Sequence, residues 1–159
     1  MENEVPVSLA GMEQSAVGTF WTHIGAELRT LSAERVEVAL EVQPHHLNTL
    51  GILHGGVSAT LLDSAMGLVA MAARPQDTVV TTNLHLHYVA PVEQGALKVT
   101  AEIVHSSRKL ITAQGHVYDD KGALCTFGTG TFRVLEHKPA RETGAGAGAS
   151  AGASAENDD

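Results

Sequence analysis

The chain has 159 residues, 43% of them apolar, which suits one domain with a sizeable core. Its formal charge is −8, ten Lys and Arg against eighteen Asp and Glu, and this argues against a nucleic-acid binder, which needs a basic footprint. A single cysteine, Cys125, excludes an intrachain disulfide and fits a reducing, cytoplasmic compartment.

The opening "MENEVPVSLAG" puts Glu2 and Glu4 where a secretory signal carries positive charge. No apolar run is expected to reach the roughly 18 residues of a membrane span, so no membrane association is expected. Residues 1–18 read as an N-terminal segment, of which 8–18 can form a short, weakly amphipathic helix. "TFWTHIGAELRTL" and "ERVEVALEV" follow as strands. The second alternates, with Val36, Val38, Leu40 and Val42 on one face and Glu37 and Glu41 on the other, and Pro44 ends it. Residues 56–73 have helical length and no internal proline, and Pro75 stops the run.

The second half reads as strand after strand. "TVVTTNLHLHYVA" leads through "PVEQG" into "ALKVTAEIVH". "KLITAQGHVY" turns at "DDKG" into "ALCTFGTGTFRVL", a hairpin whose Asp, Lys and Gly suit a tight reversal. The expected order is two strands, one long helix, then four strands in meander order. Leu61, Leu62, Ala65, Met66, Leu68, Val69 and Met71 take up most of the helix's circumference, so it is expected to be buried on nearly all sides. One helix wrapped by a curved antiparallel sheet, an α+β architecture, accounts for that. A ferredoxin-like fold would need a second long amphipathic helix, and none is evident. The folded domain is placed at 19–136. The Gly-, Ala- and Ser-rich acidic tail, 137–159, has no large apolar residue to bury and is expected to be disordered.

The stretch "HLNTLGILHGGVSATLLDSAMG", His46 to Gly67, carries the chemistry. A lone carboxylate, Asp63, sits in an apolar helix and needs compensation for lost solvent. The plain reading is a structural Asp bonded to backbone or to Thr60 or Ser64. The functional reading is a general base or nucleophile in a dry pocket. Gly55 and Gly56 open the helix, either as a tight turn needing positive φ or as bare backbone that lets a ligand oxygen reach amides at the helix's positive end. His54 either orients that turn or touches the ligand. Asp63 lies eight residues after Gly55, about 12 Å of rise at ~1.5 Å per residue, so one carbonyl cannot meet both groups. Either only one is catalytic, or a site takes Gly55 from one subunit and Asp63 from another.

The motif "NTLGILHGGVSATLLD" resembles that of the hotdog-fold acyl-CoA thioesterases, in particular the phenylacetate-degradation (PaaI-type) branch, and the likeness runs from Phe20 to about Leu135 in element order. The resemblance implies a long central helix wrapped by an antiparallel sheet, in homodimers that often pair into homotetramers. It implies that the Gly55 amide polarises the thioester carbonyl and that Asp63, from the partner subunit, activates water or attacks directly. Asn48, assisted by His54, would place the carbonyl or the water. A hydroxyl residue after the helix holds the water in this branch. By spacing that is Thr81, with Thr82 as the alternative, since one strand bulge would exchange them. Gly56 would border the substrate. The segment "SSRKL" would lie near the nucleotide and pantetheine arm, where Ser107, Arg108 and Lys109 could meet phosphate. The plain reading of those charges is solvation between strands.

Coenzyme A would enter as part of the substrate, with no separate cofactor. His85 and His87 form an H-x-H pair, but no third ligand stands at supporting spacing, so no metal is expected and a subunit interface is the preferred reading. "GVSAT" lacks the last Gly of a nucleophile elbow, and "GTGTFR" lacks the third Gly of a dinucleotide fingerprint. The alternatives are a hotdog-fold enoyl-CoA hydratase and a non-catalytic acyl-CoA-binding protein. The hydratase motif pairs its Asp with a His a few residues later, which Asp63 lacks. The acyl group, aryl-acetyl or medium-chain, is not legible.

Overall fold

Residues 8–135 are described by a computed structural model, so Glu2, Glu4 and the tail 137–159 lie outside the described residues. In chain order the elements are α1 (Leu9–Ala16), α2 (Phe20–Ile24), β1 (Glu27–Leu31), β2 (Arg35–Glu41), a 3-10 turn (Pro44–His46), α3 (Gly55–Ala73), β3 (Thr78–Tyr88), β4 (Ala96–Ser106), β5 (Leu110–Tyr118) and β6 (Leu124–Leu135). The strands form one antiparallel sheet in the order β1-β2-β4-β5-β6-β3, curved around α3. This is the hotdog arrangement that the resemblance implies.

The alternation in β2 does what its period dictates: Val36, Val38 and Leu40 are buried against α3's side of the sheet, while Glu37 and Glu41 are not. The helix sits close to the sheet because glycines lie beneath it. A Cβ at Gly115 would come within 2.8 Å of Leu62 Cδ2, and one at Gly130 within 3.1 Å of Met66 Cε. Leu61, Leu62 and Met66 are fully buried there, and truncating any of them to Ala would cost about 2–5 kcal/mol.

Four expectations need correction. Phe20–Ile24 is a helical turn, not the start of a strand; Gly25 in the left-handed region (φ 74°) ends it, and the i, i+3 pair Trp21 and Ile24 turns toward the core. The last four strands are not a simple meander. Instead of pairing with β4, β3 pairs with β6, and only β4-β5-β6 follow one another. Residues 89–95 between β3 and β4 include Pro91 and Gly95 and pass beside the loop before α3, where Leu53 N–H donates to the Val92 carbonyl, so no tight hairpin forms. The helix α3 is buried along one side only. Along the other, Gly56 is exposed and Thr60, Asp63, Ser64, Gly67 and Met71 are half-buried. Finally, α3 is long and apolar enough to cross a membrane by length and composition, with 19 residues and a mean hydropathy of 1.4. Its Leu, Val and Met residues raise the mean, helped by five alanines. In the fold its large side chains lie under the sheet.

Candidate active site

Two separate pockets flank the open side of α3. The first is a cavity of about 330 Å³ lined by Asp63, Ser64, Gly67, Leu68 and Met71 of α3, by Thr81, and by residues of α1, α2 and β1. The helix spacing puts Asp63, Gly67 and Met71 one above another on that face. Across from them, the Thr81 hydroxyl donates to Asp63 Oδ1 at 2.8 Å. The choice between Thr81 and Thr82 turns on a local irregularity: the β3/β6 register shifts between Thr81 and Asn83. Thr82 therefore turns away and donates to the Thr131 carbonyl at 3.0 Å. Asp63's hydroxyl partner is a strand residue, and Thr60 instead donates to the Gly56 carbonyl within its own helix.

The second pocket, about 380 Å³, lies at the helix's N-terminal end and is lined by Asn48, Ile52, Leu53, Gly55, Ser58, Tyr88 and neighbouring residues. Neither Gly55 nor Gly56 is among the glycines with positive φ, so the turn reading of this pair is corrected: both begin the helix itself. Their smallness is steric. A Cβ on Gly55 would stand 3.2 Å from the Tyr88 ring, whose hydroxyl donates to the Gly55 carbonyl at 3.0 Å. His54 is the N-cap, and its Nδ1 accepts from the Gly56 amide at 2.8 Å. That occupies the Gly56 N–H, while among the described residues no acceptor meets the N–H of Gly55. Asn48 spends its Oδ1 on the loop, accepting from the Leu50 and Ile52 amides. Its side-chain NH2 is the group left to face the pocket.

Two titratable groups near this end shape it without reacting. His46 is buried and neutral. Its Nδ1 accepts from the Gln43 amide at 3.0 Å, and Nε2 lies 2.8 Å from the Ile24 carbonyl, tying the turn before the motif to α2. Burial lowers its pKa below the usual 6.5, opposed by the Ile24 carbonyl and aided by His45. Cys125 lines the second pocket, but burial first and Asp119 second push its thiol pKa up, so it stays protonated and is a poor nucleophile.

The structure keeps Gly55 and Asp63 in different pockets. Ser107, Arg108 and Lys109 form the β4–β5 turn, where Ser107 Oγ and the Leu110 amide and carbonyl hold one another. Arg74, overlooked in the sequence, braces this turn from the end of α3: its Nη2 donates to the Ser107 carbonyl at 2.7 Å. An arginine directly after the last apolar helical residue, Ala73, was the available signal. His85 and His87 lie on β3 at the edge of the sheet, where their rings stack at 4.9 Å and His87 stacks on Phe127. Tyr88, Trp21 and the α1 residues of the first cavity were also missed.

Comparison with known proteins gives a consistent result. The model of the thioesterase superfamily matches residues 50–126. The proofreading thioesterase EntH of Cronobacter turicensis is 26% identical over 120 residues, covering 75% of this chain and 88% of that protein. Acyl-coenzyme A thioesterase 13 of Mus musculus is 30% identical over 87 residues, covering 54% of this chain and 62% of that protein. The crystal structure of thioesterase HI1161 from Haemophilus influenzae has the same fold, with a TM-score of 0.78 at 21% identity over 85% of this chain and 95% of that one.

Proposed function

The chain belongs to the thioesterase superfamily, and from that premise we propose that it hydrolyses acyl-CoA thioesters to a free acid and coenzyme A, in a site shared between two copies of the chain. The observation that carries this reading is the Asp63 carboxylate, held by the Thr81 hydroxyl in the wall of a largely apolar cavity. An acyl chain fits such a cavity, and a carboxylate at its edge stands where the thioester carbonyl would lie.

The chemistry divides between the two pockets. At the first, Asp63 takes a proton from water as it adds to the carbonyl, or adds to the carbonyl itself to form an anhydride that water then opens. Thr81 holds the carboxylate or the water in line. At the second, the Gly55 N–H at the positive end of α3 receives the developing oxyanion. The bond to sulfur then breaks, and the thiolate leaves and takes up the proton. Asn48 places the carbonyl through its NH2 group, and His54 acts by fixing the helix start. Because one carbonyl cannot reach both Gly55 and Asp63 within one helix, the complete site joins the first pocket of one protomer to the second pocket of its partner. A homodimer is the smallest such assembly, and a homotetramer repeats it. The turn at Ser107, Arg108 and Lys109 would meet the phosphates of coenzyme A. The reaction needs no other cofactor, and a reduced cytoplasmic setting fits the single buried thiol.

The test is release of free thiol from straight-chain acyl-CoA and aryl-acetyl-CoA esters, followed with a thiol reagent. Release above the uncatalysed rate is expected with at least one class. No release with any of them, from a folded sample, would contradict the reading.

A further inference from the structure

The cavity beside Asp63 has two kinds of wall. Asp63, Gly67, Met71 and Thr81 come from within the segment that matches the superfamily model, residues 50–126. Facing them are Met12 of α1, Trp21 of α2 and Leu28 of β1, all outside that segment. We infer that α1 and α2 form a specificity wall, and that Met12 and Trp21 on one side and Gly67 on the other set the length of apolar acyl group admitted next to Asp63. This rests on the acyl-thioester reading above.

The physical case is local. Serine 8 caps α1, its Oγ accepting from the Gly11 amide and its carbonyl from Met12 N–H, and α1 packs on β1 and α2. Met12 and Trp21 are half-buried against the core, so the wall is seated rather than loose. Trp21 reaches the cavity because residues 20–24 are helical. On the opposite wall, Gly67 stands one helical turn after Asp63, and a Cβ there would touch only Phe132 Cε1, at 3.5 Å. Space, not backbone conformation, is what this glycine supplies. Glu13 also lines the cavity, so with Asp63 its border carries two acids. A neutral acyl group is favoured there over a free carboxylate, which helps product leave.

Trp21 is the only tryptophan in the chain, so its fluorescence reports the wall directly. The probes are S-alkyl thioethers of coenzyme A, which have no carbonyl to hydrolyse, in a series from butyl to hexadecyl. Emission is expected to shift on binding. Affinity should rise about fourfold per added methylene, the equivalent of ~0.8 kcal/mol, until the cavity is filled, and then level off. Gly67→Val should move that plateau to shorter chains by about three carbons, the size of the side chain added. Met12→Ala, with its fold checked by circular dichroism because Met12 packs against the edge of the core, should move it to longer chains. A plateau unchanged in both variants, or a Trp21 emission indifferent to every probe, would overturn the wall. Thiol release from acyl-CoA esters, assayed alongside, separates the two claims. Turnover without chain-length dependence would remove the wall and leave the hydrolase, whereas chain-length-dependent binding without turnover would do the reverse.

Discussion

The two ends of the candidate site are built in different ways. At the start of α3 the functional groups are backbone: a glycine amide, framed by the His54 cap, the Asn48 loop and the Tyr88 ring. Midway along the same helix they are side chains, an Asp and a Thr brought together from helix and strand across 2.8 Å. In the proposed reaction the first end polarises the carbonyl and the second activates the nucleophile. The helix holds them apart, and the proposal of a site shared between two copies of the chain rests on that separation. The difference also sets how each end responds to change: side chains can be replaced one at a time, whereas the amide is lost by blocking the space above it or by putting proline at Gly55.

The largest effect is expected at the side-chain end. Asp63→Asn should fold normally and lose at least about 100-fold in turnover, since removing a general base typically costs that much. Near-normal turnover in a folded sample would take Asp63 out of the mechanism. Thr81→Val should lose about tenfold, the equivalent of a hydrogen bond to a charged group, and Thr81→Ser should recover most of it. Thr82→Val is the contrast: with its hydroxyl committed to the Thr131 carbonyl, it should change turnover less than about twofold. Equal losses at the two threonines would erase the distinction made by the β3 irregularity.

A smaller effect separates scaffold from chemistry. His46 has a lowered pKa in the folded chain, mainly through burial, so folding disfavours its protonated form. As pH falls below about 6.5, the unfolded chain takes up a proton that the folded chain resists, and stability drops until the lowered folded value is passed. Above that window this group adds no pH dependence. The Tm of the wild type should therefore fall more steeply between about pH 7 and pH 5 than that of His46→Gln, whose amide can still donate and accept. Parallel curves would show that His46 does not carry the linkage.

Much of this arrangement is legible in the sequence, and what is not has identifiable physical causes. The β2 alternation and the proline-free run before Pro75 each fix an element by local pattern, and α3 begins within one residue of its expected start. Asp63 stands out because an apolar helix has no packing reason for a lone carboxylate, and Asn48 and the glycine pair stand out by their spacing before it. Pairing of β3 with β6 is a non-local choice that no local pattern encodes. The turn at Phe20–Ile24 was misread because a short apolar run fits strand and helix equally, and with it went Trp21's place in the cavity. The uncovered stripe of α3 was hidden because Leu68 and Met71 carry the apolar pattern round toward Thr60, Asp63 and Ser64. Which threonine meets Asp63 depended on a one-residue irregularity visible only in the backbone.

Subunit mixing tests the shared site most directly. Asp63→Ala removes the side-chain end. Gly55→Val blocks the backbone end, because a Cβ there already stands 3.2 Å from the Tyr88 ring. Each variant alone should be inactive, with its fold checked by circular dichroism. Co-expressed in equal amounts, about half the dimers should be mixed, and each mixed dimer has one site with both lesions and one with neither. Activity should then recover to about a quarter of the wild type. A mixture that stays inactive while mass spectrometry shows the heterodimers present would contradict a site shared between two chains.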